Sequence, residues 1–369
     1  MKNILVTGSE GFIGKNLIEY LSRDEDINII KFAKTDSLLD LRNKILEIDF
    51  IFHLAGINRP KNNEEFYLGN TIFTQDLVDI IIESDKKIPI LLSSSSQSVL
   101  DNDYGKSKLE AENILKKYAK SNDVPIYIYR LPGVFGKWSK PNYNSVISTW
   151  CYNIANNLDI KINDKDVSLD LVYIDDVVES FISNLNKNTS NCNSSVHTVY
   201  NKSLDYISKL LYSFKDSRDT LVIPNVGSDF ERALYATYLS YLPSDKFSYE
   251  LKGHTDERGT FYEILKTLDC GQFSISTTKP GDILRGNHYH NTKNEKFLVV
   301  KGEATIEFRH IVTNEIVSYN VSDKKMKIVE MIPGYTHNIK NTGDEEMVLF
   351  LWANETFDQN NPDTYFLEV

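Results

Sequence analysis

Cysteine is scarce in this sequence of 369 residues, and the 3 that occur, Cys151, Cys192 and Cys270, lie far apart. An odd number at such spacing excludes a disulfide framework and a cysteine zinc cluster, and it favours a reducing, cytoplasmic compartment. No apolar run approaches the roughly 18 residues that span a bilayer, and the polar, glycine-rich start is unlike an export signal. We therefore expect a cytoplasmic protein with no membrane partner.

Positive charge is also in deficit, because 41 Lys and Arg face 52 Asp and Glu for a net charge of −11. This charge repels nucleic acid and anionic lipid at long range, and no basic patch along the chain reverses it. We therefore expect no nucleic-acid partner. Apolar residues at 41% and charged residues at 25% are ordinary for a folded chain, and the length allows two domains.

The pattern of apolar residues changes along the chain. Up to about residue 130, short β-branched runs alternate with amphipathic stretches, as in parallel βαβ units. Beyond about residue 245, short β runs are separated by Gly, Asn and Asp. The sequence predicts a doubly wound parallel α/β sheet with an added lobe over residues 1–245 and a small all-β barrel over residues 246–369. The predicted strands are 3–7, 27–32, 50–54, 88–93 and 126–129, then 273–277, 297–300, 304–310, 316–320 and 347–352. The predicted helices are 15–21, 66–83, 104–120, 146–156 and 177–186.

A glycine-rich turn follows the first predicted strand and opens a helix. Gly8 allows the tight turn, Gly11 lets backbone amides approach a pyrophosphate, and Gly14 permits close packing of the helix on the sheet. The turn therefore predicts a dinucleotide site. Its further contacts are expected from Phe12, Ile13, Leu54, Ala55 and Gly56.

The second predicted strand bears on the choice of dinucleotide. Lys34, which follows this strand, can pair with a 2′-phosphate, and this favours NADPH. Asp36 lies close enough in sequence to reverse that choice. Asp40 and Leu41 are then expected on the adenine side of the cofactor.

A Tyr-x-x-x-Lys motif begins the predicted helix 104–120. Tyr104 and Lys108 lie one turn apart on one helix face, where the ammonium can stabilise a phenolate and both can contact the cofactor. Tyr104 is therefore predicted to move a proton. The serine run 93–96 ends the preceding strand, and we assign Ser95, with Ser94 as the alternative, to the substrate carbonyl.

Three histidines and a carboxylate are predicted to converge in the second region. His288 and His290 project from one face of a strand because they are two residues apart, and a partner strand can bring Glu295 and His337 opposite them. Such ligands with an open position suit a catalytic divalent metal, zinc above all, although manganese, iron or nickel also fit. The alternative is a metal-free site with hydrogen-bonded histidines.

The motifs of the first region together resemble the extended short-chain dehydrogenase/reductases that act on nucleotide sugars. They are the glycine turn, residues 53–56, the serine run, the Tyr104 and Lys108 pair, and residues 171–176. The resemblance implies a Rossmann-type doubly wound parallel sheet and hydride transfer at a sugar carbon, with Ser95, Tyr104 and Lys108 as catalysts. Residues 96–98 read Ser-Gln-Ser where the family's dehydratases carry Asp-Glu, which disfavours dehydration. Contacts to the UDP-sugar are expected from Arg130, Lys137, Asn142, Tyr143, Asn144 and Arg218.

The second region resembles the cupins, which implies an all-β cupin barrel. Residues 256–261, residues 284–289 and Lys296 look like a deoxysugar 3,5-epimerase of that class. This implies removal of a proton beside a C4 ketone, with Lys296 or the metal stabilising the enolate oxygen. His288 falls at both the base position and a ligand position, and one imidazole nitrogen cannot serve both roles, so its role stays open.

Over its whole length, including residues 140–145 and 361–369, the chain resembles the bifunctional capsule-synthesis enzymes. This implies a UDP-2-acetamido-2,6-dideoxy-4-keto-hexose that is epimerised at C3 and reduced at C4 with NADPH. The product would be UDP-2-acetamido-2,6-dideoxy-L-talose, a precursor of UDP-N-acetyl-L-fucosamine.

Two other functions compete with this interpretation. One is a non-catalytic redox sensor with a sugar-binding barrel, against which the presence of Tyr104 and Lys108 argues. The other is a reductase whose cupin serves only dimerisation or sugar binding, because barrels often pair with copies of themselves. We expect a homodimer or homotetramer.

Overall fold

The structure is a computed structural model that describes residues 1–360 and 362–369, the Arg285 side chain excepted. Asn361, part of the run that contributes to the whole-chain resemblance, and the side chain of Arg285 lie outside this description. The chain forms two compact units, Met1–Leu211 with Asp229–Pro243 and Tyr212–Ser228 with Ser244–Val369. The division into domains at residue 245 stays a prediction. Each helix in the described ranges is too short or too polar to cross a bilayer.

The first unit is built on a six-stranded sheet. Its order is β2-β1-β3-β4-β5-β8, and each neighbouring pair is parallel, which confirms the predicted parallel sheet. A second, three-stranded sheet has the order β6-β7-β9. The strands are β1 (Lys2–Thr7), β2 (Ile27–Phe32), β3 (Phe50–His53), β4 (Ile90–Ser95), β5 (Ile126–Leu131), β6 (Gly133–Phe135), β7 (Ser168–Tyr173), β8 (Asn191–Ser194) and β9 (Tyr200–Ser203).

Helices α1 to α5 connect parallel strands of the six-stranded sheet. The helices of the described ranges are α1 (Phe12–Leu21), α2 (Leu38–Ile45), α3 (Glu64–Phe66), α4 (Phe73–Glu83), α5 (Asp103–Asn122), α6 (Val146–Ala155), α7 (Ile174–Ile182), α8 (Leu204–Thr220) and α9 (Asp229–Leu239). Two 3₁₀ turns cover Ser96–Val99 and Ser244–Lys246. The predicted helix 66–83 is interrupted, because a π-helical segment, Tyr67–Ile72, precedes α4. Such segments widen the helix and often occur at functional sites.

Alternate residues of the parallel strands enter two separate cores. Leu5 and Ile51 pack in one cluster, while Ile4 and Phe52 pack in the other, because successive side chains of a strand point to opposite faces. Both faces of the sheet are therefore buried, and this accounts for the nearly continuous apolar runs of its strands.

The second unit is mainly antiparallel β-structure, as the sequence predicts. One sheet has the order β10-β12-β13-β20-β15-β18, with β11 paired to β12, and the other has the order β17-β16-β19-β14-β21. Phe297 and Leu349 from the first sheet and Ile306 and Ile339 from the second share one core, so the two sheets pack face to face. The strands are β10 (Val222–Ile223), β11 (Gly253–Thr255), β12 (Thr260–Thr267), β13 (Gln272–Thr278), β14 (Ile283–Tyr289), β15 (Glu295–Lys301), β16 (Glu303–His310), β17 (Ile316–Ser322), β18 (Ile328–Met331), β19 (Tyr335–Asn341), β20 (Met347–Ala353) and β21 (Tyr365–Phe366).

Candidate active site and metal centre

A cleft of about 880 Å³ opens at the carboxyl ends of the parallel strands. Ligands of open α/β sheets bind at this edge. The predicted site residues among those that line the cleft are Gly8, Gly11, Phe12, Ile13, Gly14, Leu54, Gly56, Ser95, Tyr104, Lys108, Tyr143 and Asn144.

The glycine turn has the close contacts that a dinucleotide site needs. Gly8 has a φ of +67°, and a Cβ there would lie 2.8 Å from the backbone nitrogen of Ala55. A Cβ on Gly14 would lie 2.3 Å from the Gly8 carbonyl oxygen. Gly11 is the N-cap of α1, and no side chain in the described part of the chain caps this helix. The helix N-terminus is therefore suited to a phosphate.

The loop after β3 completes this side of the cleft. Leu54 and Gly56 line it, whereas the Ala55 amide lies beneath the glycine turn and donates to Thr7 Oγ1 over 3.2 Å. His53 is buried between Thr7 Oγ1 and Thr74 Oγ1, each 2.9 Å from one ring nitrogen. Burial, with a smaller contribution from the charge of Lys108, lowers the pKa of His53 to about 3. His53 is therefore a neutral packed residue.

The residues predicted to bind the adenosine end have partners within the protein. The Leu41 side chain is fully buried in the core, so only the Leu41 backbone is left to contact a cofactor. Asp40 forms a capping box with Ser37 at the start of α2, and its Oδ2 accepts the Ser37 amide over 2.8 Å. The spacing of Ser37 and Asp40 is a helix-start signal, so Asp40 has a local role.

Lys34 and Asp36 differ in their surroundings. The Lys34 side chain is exposed in the turn after β2. Asp36 Oδ2 accepts the Ala33 amide over 2.7 Å, and Asp36 Oδ1 lies 3.5 Å from Lys44 Nζ. The Asp36 carboxylate is therefore engaged within the turn.

Tyr104, Ser95 and Lys108 lie together in the cleft. Tyr104 faces Ser95; burial raises the pKa of Tyr104 and the interaction with the Ser95 hydroxyl acts to lower it, leaving the pKa above its ordinary value. Lys108 Nζ donates to the Ser93 carbonyl over 2.8 Å, and burial lowers the pKa of Lys108 to about 8. Burial therefore dominates the pKa of Tyr104 in this structure, where the Lys108 ammonium is bound to the Ser93 carbonyl, and stabilisation of a Tyr104 phenolate by Lys108 stays a prediction.

The two candidate serines have different partners. Ser94 is buried and donates to Glu112 Oε1 over 2.7 Å, whereas Ser95 faces Tyr104. The Glu112 carboxylate also accepts hydrogen bonds from Nε and Nη2 of Arg130, over 2.9 and 2.6 Å. Arg130 is thus bound to the protein interior and is not among the described residues that line the cleft, which corrects its expected contact with substrate.

Of the other residues expected to contact the substrate, some line the cleft and some do not. Tyr143 and Asn144 line the cleft, but Lys137 pairs with Asp175 over 2.9 Å. Asn142 lies in the loop before α6, where its amide donates to Thr149 Oγ1 over 3.0 Å. Arg218 belongs to the second unit, where its guanidinium lies 4.7 Å from the centre of the Tyr249 ring. Among the described residues, Lys137, Asn142 and Arg218 are not part of the cleft lining.

Sequence reasoning missed Asn70, which lies in the π-helical segment and lines the cleft. Its Oδ1 accepts the Ile57 amide over 2.8 Å, and its Nδ2 donates to the Ile57 carbonyl and to Ser107 Oγ over 3.0 and 2.9 Å. Asn70 therefore fastens the loop after β3 to α5. The one signal in the sequence is an amide on the buried side of an apolar helix.

The second unit brings the predicted histidines and carboxylate together. Atoms of His288, His290 and Glu295 that can bind a metal lie within 4.8 Å of one another. His337 faces His288 across the pairing of β14 with β19, with ring centres 4.6 Å apart, and its Nε2 lies 3.7 Å from Glu295 Oε2. These four residues are called the His/Glu cluster.

The hydrogen bonds of the His/Glu cluster fit a cation. His290 Nδ1 lies 2.5 Å from the carbonyl oxygen of Asp363, which only accepts, so Nδ1 carries the proton. Within the described ranges, His290 Nε2 and His337 Nδ1 are both buried without a hydrogen-bond partner. His290 Nε2 lies 3.5 Å from Glu295 Oε2. In the neutral ring this nitrogen bears a lone pair, which a carboxylate repels unless a cation lies between them.

Electrostatics keep the His/Glu cluster in the form that binds metals. Burial lowers the pKa of His288 and lowers that of His337 to about 3, so both rings are neutral near pH 7. Burial also acts to raise the pKa of Glu295, but the contacts with His290 and His337 outweigh it and leave this pKa below its ordinary value. Neutral imidazoles around a carboxylate form a ligand set for a divalent metal.

Lys296 does not join the His/Glu cluster. It follows Glu295 on β15, and successive strand residues point to opposite faces. The Lys296 side chain is exposed and its ammonium pairs with Glu330. The expected role of Lys296 at an enolate oxygen is therefore wrong for this arrangement.

Comparison with known proteins adds to the geometry. The model of the NAD dependent epimerase/dehydratase family matches residues 4–198, and that of the polysaccharide biosynthesis C-terminal domain matches residues 254–365. A Pseudomonas aeruginosa protein described as UDP-2-acetamido-2,6-beta-L-arabino-hexul-4-ose reductase is 47% identical over 367 residues, which cover 99% of this chain and 98% of the relative.

Solved structures resemble the chain as well. The capsular polysaccharide assembling protein CapF from Staphylococcus aureus is 48% identical with a TM-score of 0.93, and 100% of each chain is covered. UDP-glucuronic acid 4-epimerase from Bacillus cereus, solved with NAD, has a TM-score of 0.55 at 19% identity over 65% of this chain and 98% of that one, so it shares the fold alone. The family model matches more than half of the chain, and the P. aeruginosa relative matches nearly all of it. The chain therefore belongs to the NAD dependent epimerase/dehydratase family.

Proposed function

We propose that this chain is a bifunctional nucleotide-sugar enzyme that epimerises a UDP-2-acetamido-2,6-dideoxy-4-keto-hexose at C3 and reduces its C4 ketone with NADPH. The observation that carries the reductase half is that Tyr104, Ser95 and Lys108 line one cleft together with the glycine turn. The name of the P. aeruginosa relative, a UDP-keto-sugar reductase, supports this substrate class. The product would be UDP-2-acetamido-2,6-dideoxy-L-talose, a precursor of UDP-N-acetyl-L-fucosamine.

In the reductase half, the bound dinucleotide supplies the hydride for C4. Ser95 donates a hydrogen bond to the C4 carbonyl, and the Tyr104 phenol gives its proton to the carbonyl oxygen as the alcohol forms. The raised pKa of Tyr104 keeps the phenol protonated at neutral pH, which suits an acid in the reducing direction. Lys108, held at the Ser93 carbonyl, places a buried ammonium near the tyrosine. Tyr143 and Asn144, which line the cleft, contact the UDP-sugar.

NADPH is the dinucleotide that the turn after β2 favours. Lys34 is exposed there, whereas Asp36 is engaged by the Ala33 amide and Lys44 and is poorly placed for a ribose diol. A 2′-phosphate carries charge that Lys34 can neutralise.

For the epimerase half, we propose that His288, His290, Glu295 and His337 hold a divalent metal, with zinc the first candidate. The metal would polarise the C4 carbonyl and so acidify the C3 hydrogen. His290 Nε2, which is buried without a partner among the described residues and lies 3.5 Å from Glu295 Oε2, supports this assignment. Because His288 lies in the His/Glu cluster, its use as the base requires that it be free of the metal.

The test uses the full chain with UDP-4-keto sugar in two reactions. With NADPH, we expect oxidation of the cofactor and an NMR spectrum of the talose product. In D₂O without NADPH, the Tyr104→Phe variant should place deuterium at C3 while leaving the ketone in place. Failure to oxidise NADPH would remove the reductase proposal, and absence of deuterium at C3 would remove the epimerase half. The predicted cytoplasmic location and the predicted homodimer or homotetramer stay predictions.

A further inference from the structure

A short C-terminal segment, residues 362–366, lies against the His/Glu cluster. Its last two residues form β21, which pairs with β14 so that Phe366 is opposite His288 and Tyr365 opposite Tyr289. The segment therefore runs beside the strand that ends just before His290. None of these five residues belongs to the ligand set that the sequence pattern predicts.

Asp363 makes the main contacts of this segment through its side chain. Its carboxylate accepts the backbone amides of Asn291, Thr292 and Lys293 over 3.0, 2.9 and 2.9 Å, and the Thr292 hydroxyl over 3.1 Å. These residues belong to the loop 291–294, here called the ligand loop, which joins His290 to Glu295. A carboxylate that accepts several amides holds a loop in one conformation.

The backbone of Asp363 acts on the other side of the same loop. Its carbonyl oxygen accepts His290 Nδ1 over 2.5 Å and so directs His290 Nε2 toward Glu295. The φ of Asp363 is +40°, in a region that Asp and Asn tolerate better than most side chains. The buried Lys293 side chain adds a bond from Nζ to the Pro362 carbonyl over 2.8 Å.

We propose that Asp363 is the positioning residue of the His/Glu cluster, because its carbonyl orients the His290 ring while its carboxylate fixes the ligand loop that separates His290 from Glu295. This inference rests on the proposed metal site and extends it to a residue outside the ligand set. Partners that orient a metal-bound histidine commonly change metal affinity by about 10–100-fold when they are altered. Asp363 controls the position of two ligands at once.

The experiment measures binding of Co²⁺ to the metal-free full chain by competition with a chelator and by the absorption spectrum of the bound ion. The test variant is Asp363→Asn, which keeps the size and tolerates the backbone conformation but replaces one carboxylate oxygen with a donor. The control is Asp358→Asn, because Asp358 is exposed and its carboxylate accepts the nearby Asn360 amide over 2.9 Å. Glu295→Gln removes a proposed ligand.

We expect Asp363→Asn to weaken Co²⁺ binding by roughly 10–100-fold and to shift the visible spectrum, while Asp358→Asn matches the wild type. Binding of Co²⁺ by Asp363→Asn with wild-type affinity and spectrum would overturn the inference. If Asp363→Asn only lowers the amount of folded protein, the folded fraction should bind Co²⁺ with the wild-type spectrum. That result would also contradict the inference.

A metal-free measurement separates this inference from the proposed function. In the absence of metal, amides 291–293 of Asp363→Asn should exchange hydrogen at least about 10-fold faster than those of the wild type, because one of the two acceptor oxygens is replaced by a donor and the negative charge is lost. If the wild type does not bind Co²⁺, or if Glu295→Gln binds it equally well, the proposed metal site is wrong. If hydrogen exchange at the ligand loop is the same in Asp363→Asn and the wild type, the positioning role of Asp363 is wrong as well.

Discussion

The cleft of the first unit takes its reactive groups from the end of a parallel strand and from the loops and helix that follow such strands. The His/Glu cluster takes its groups from strands of two antiparallel sheets and from His290, just after β14. In the cleft, Lys108 donates to the Ser93 carbonyl, and Tyr104 faces Ser95. In the His/Glu cluster, by contrast, two buried ring nitrogens lack a partner in the part of the chain that the structure describes. Lys108 of the cleft therefore has a protein partner before a ligand binds, whereas the His/Glu cluster keeps buried ring nitrogens available to a cation.

The largest effect should come from the proton donor of the cleft. Tyr104→Phe should lower the rate of NADPH oxidation with the keto sugar by about 10²–10⁴-fold, because the carbonyl oxygen loses its acid. Tyr118→Phe on the same helix is the matched control. Tyr118 bonds Ile88 in the interior, so its loss should lower stability by roughly 1 kcal/mol and leave kcat unchanged. Full NADPH oxidation by Tyr104→Phe would refute the assignment of the acid.

The second test compares two neighbours on β15. Glu295→Gln should slow deuterium incorporation at C3 by roughly 100-fold or more, because a buried ligand of the proposed metal is lost. Lys296→Met should leave the exchange rate unchanged, since the Lys296 ammonium pairs with Glu330 on the opposite, exposed face. NMR in D₂O measures both. Slow exchange in Lys296→Met alone would restore the role expected for this lysine and contradict the strand geometry.

The third test concerns pH and the neutral histidine beneath the cleft. The unfolded chain takes up a proton at His53 below about pH 6.5, but the folded protein does so only near the lowered pKa of about 3. Stability is therefore lost as the pH falls through this window, by roughly 2 kcal/mol at pH 5. Between pH 7 and pH 5, the free energy of unfolding of His53→Gln should therefore fall by roughly 2 kcal/mol less than that of the wild type.

The measurement is hydrogen exchange of the β1 and β3 amides at both pH values. The control is His197→Gln, because the His197 side chain is exposed and its replacement should leave the pH dependence of these amides as in the wild type. Equal pH dependence in His53→Gln and the wild type would show that His53 does not control acid sensitivity.

The smallest effect should be on the choice of dinucleotide. Lys34→Ala should reduce the ratio of kcat/KM for NADPH to that for NADH by roughly 10-fold, because one charge-assisted contact to the 2′-phosphate is lost. Lys87→Ala, an exposed lysine before β4 at the opposite edge of the sheet, should leave the ratio unchanged. A wild-type preference for NADH would contradict the proposed role of Lys34.

Local sequence patterns predicted the cleft better than they predicted single contacts. The glycine turn and the Tyr104 and Lys108 pair depend on neighbours within one turn of the chain, and the structure places them together in the cleft. The burial of Leu41 in the core and the pairing of Arg130 with Glu112 were not predicted, because both depend on distant parts of the chain. Asn70 was missed because nothing local indicates that its amide faces a loop.

The sequence by itself determined the change from a parallel α/β unit to antiparallel β-structure, the glycine turn and the shared face of His288 and His290. These features follow from periodicity and short spacing, which act within a few residues. Tertiary structure alone decided that Ser95 faces Tyr104 while Ser94 faces Glu112, and that Asp363 reaches the ligand loop. Such contacts depend on how distant segments pack, and no local pattern encodes that packing.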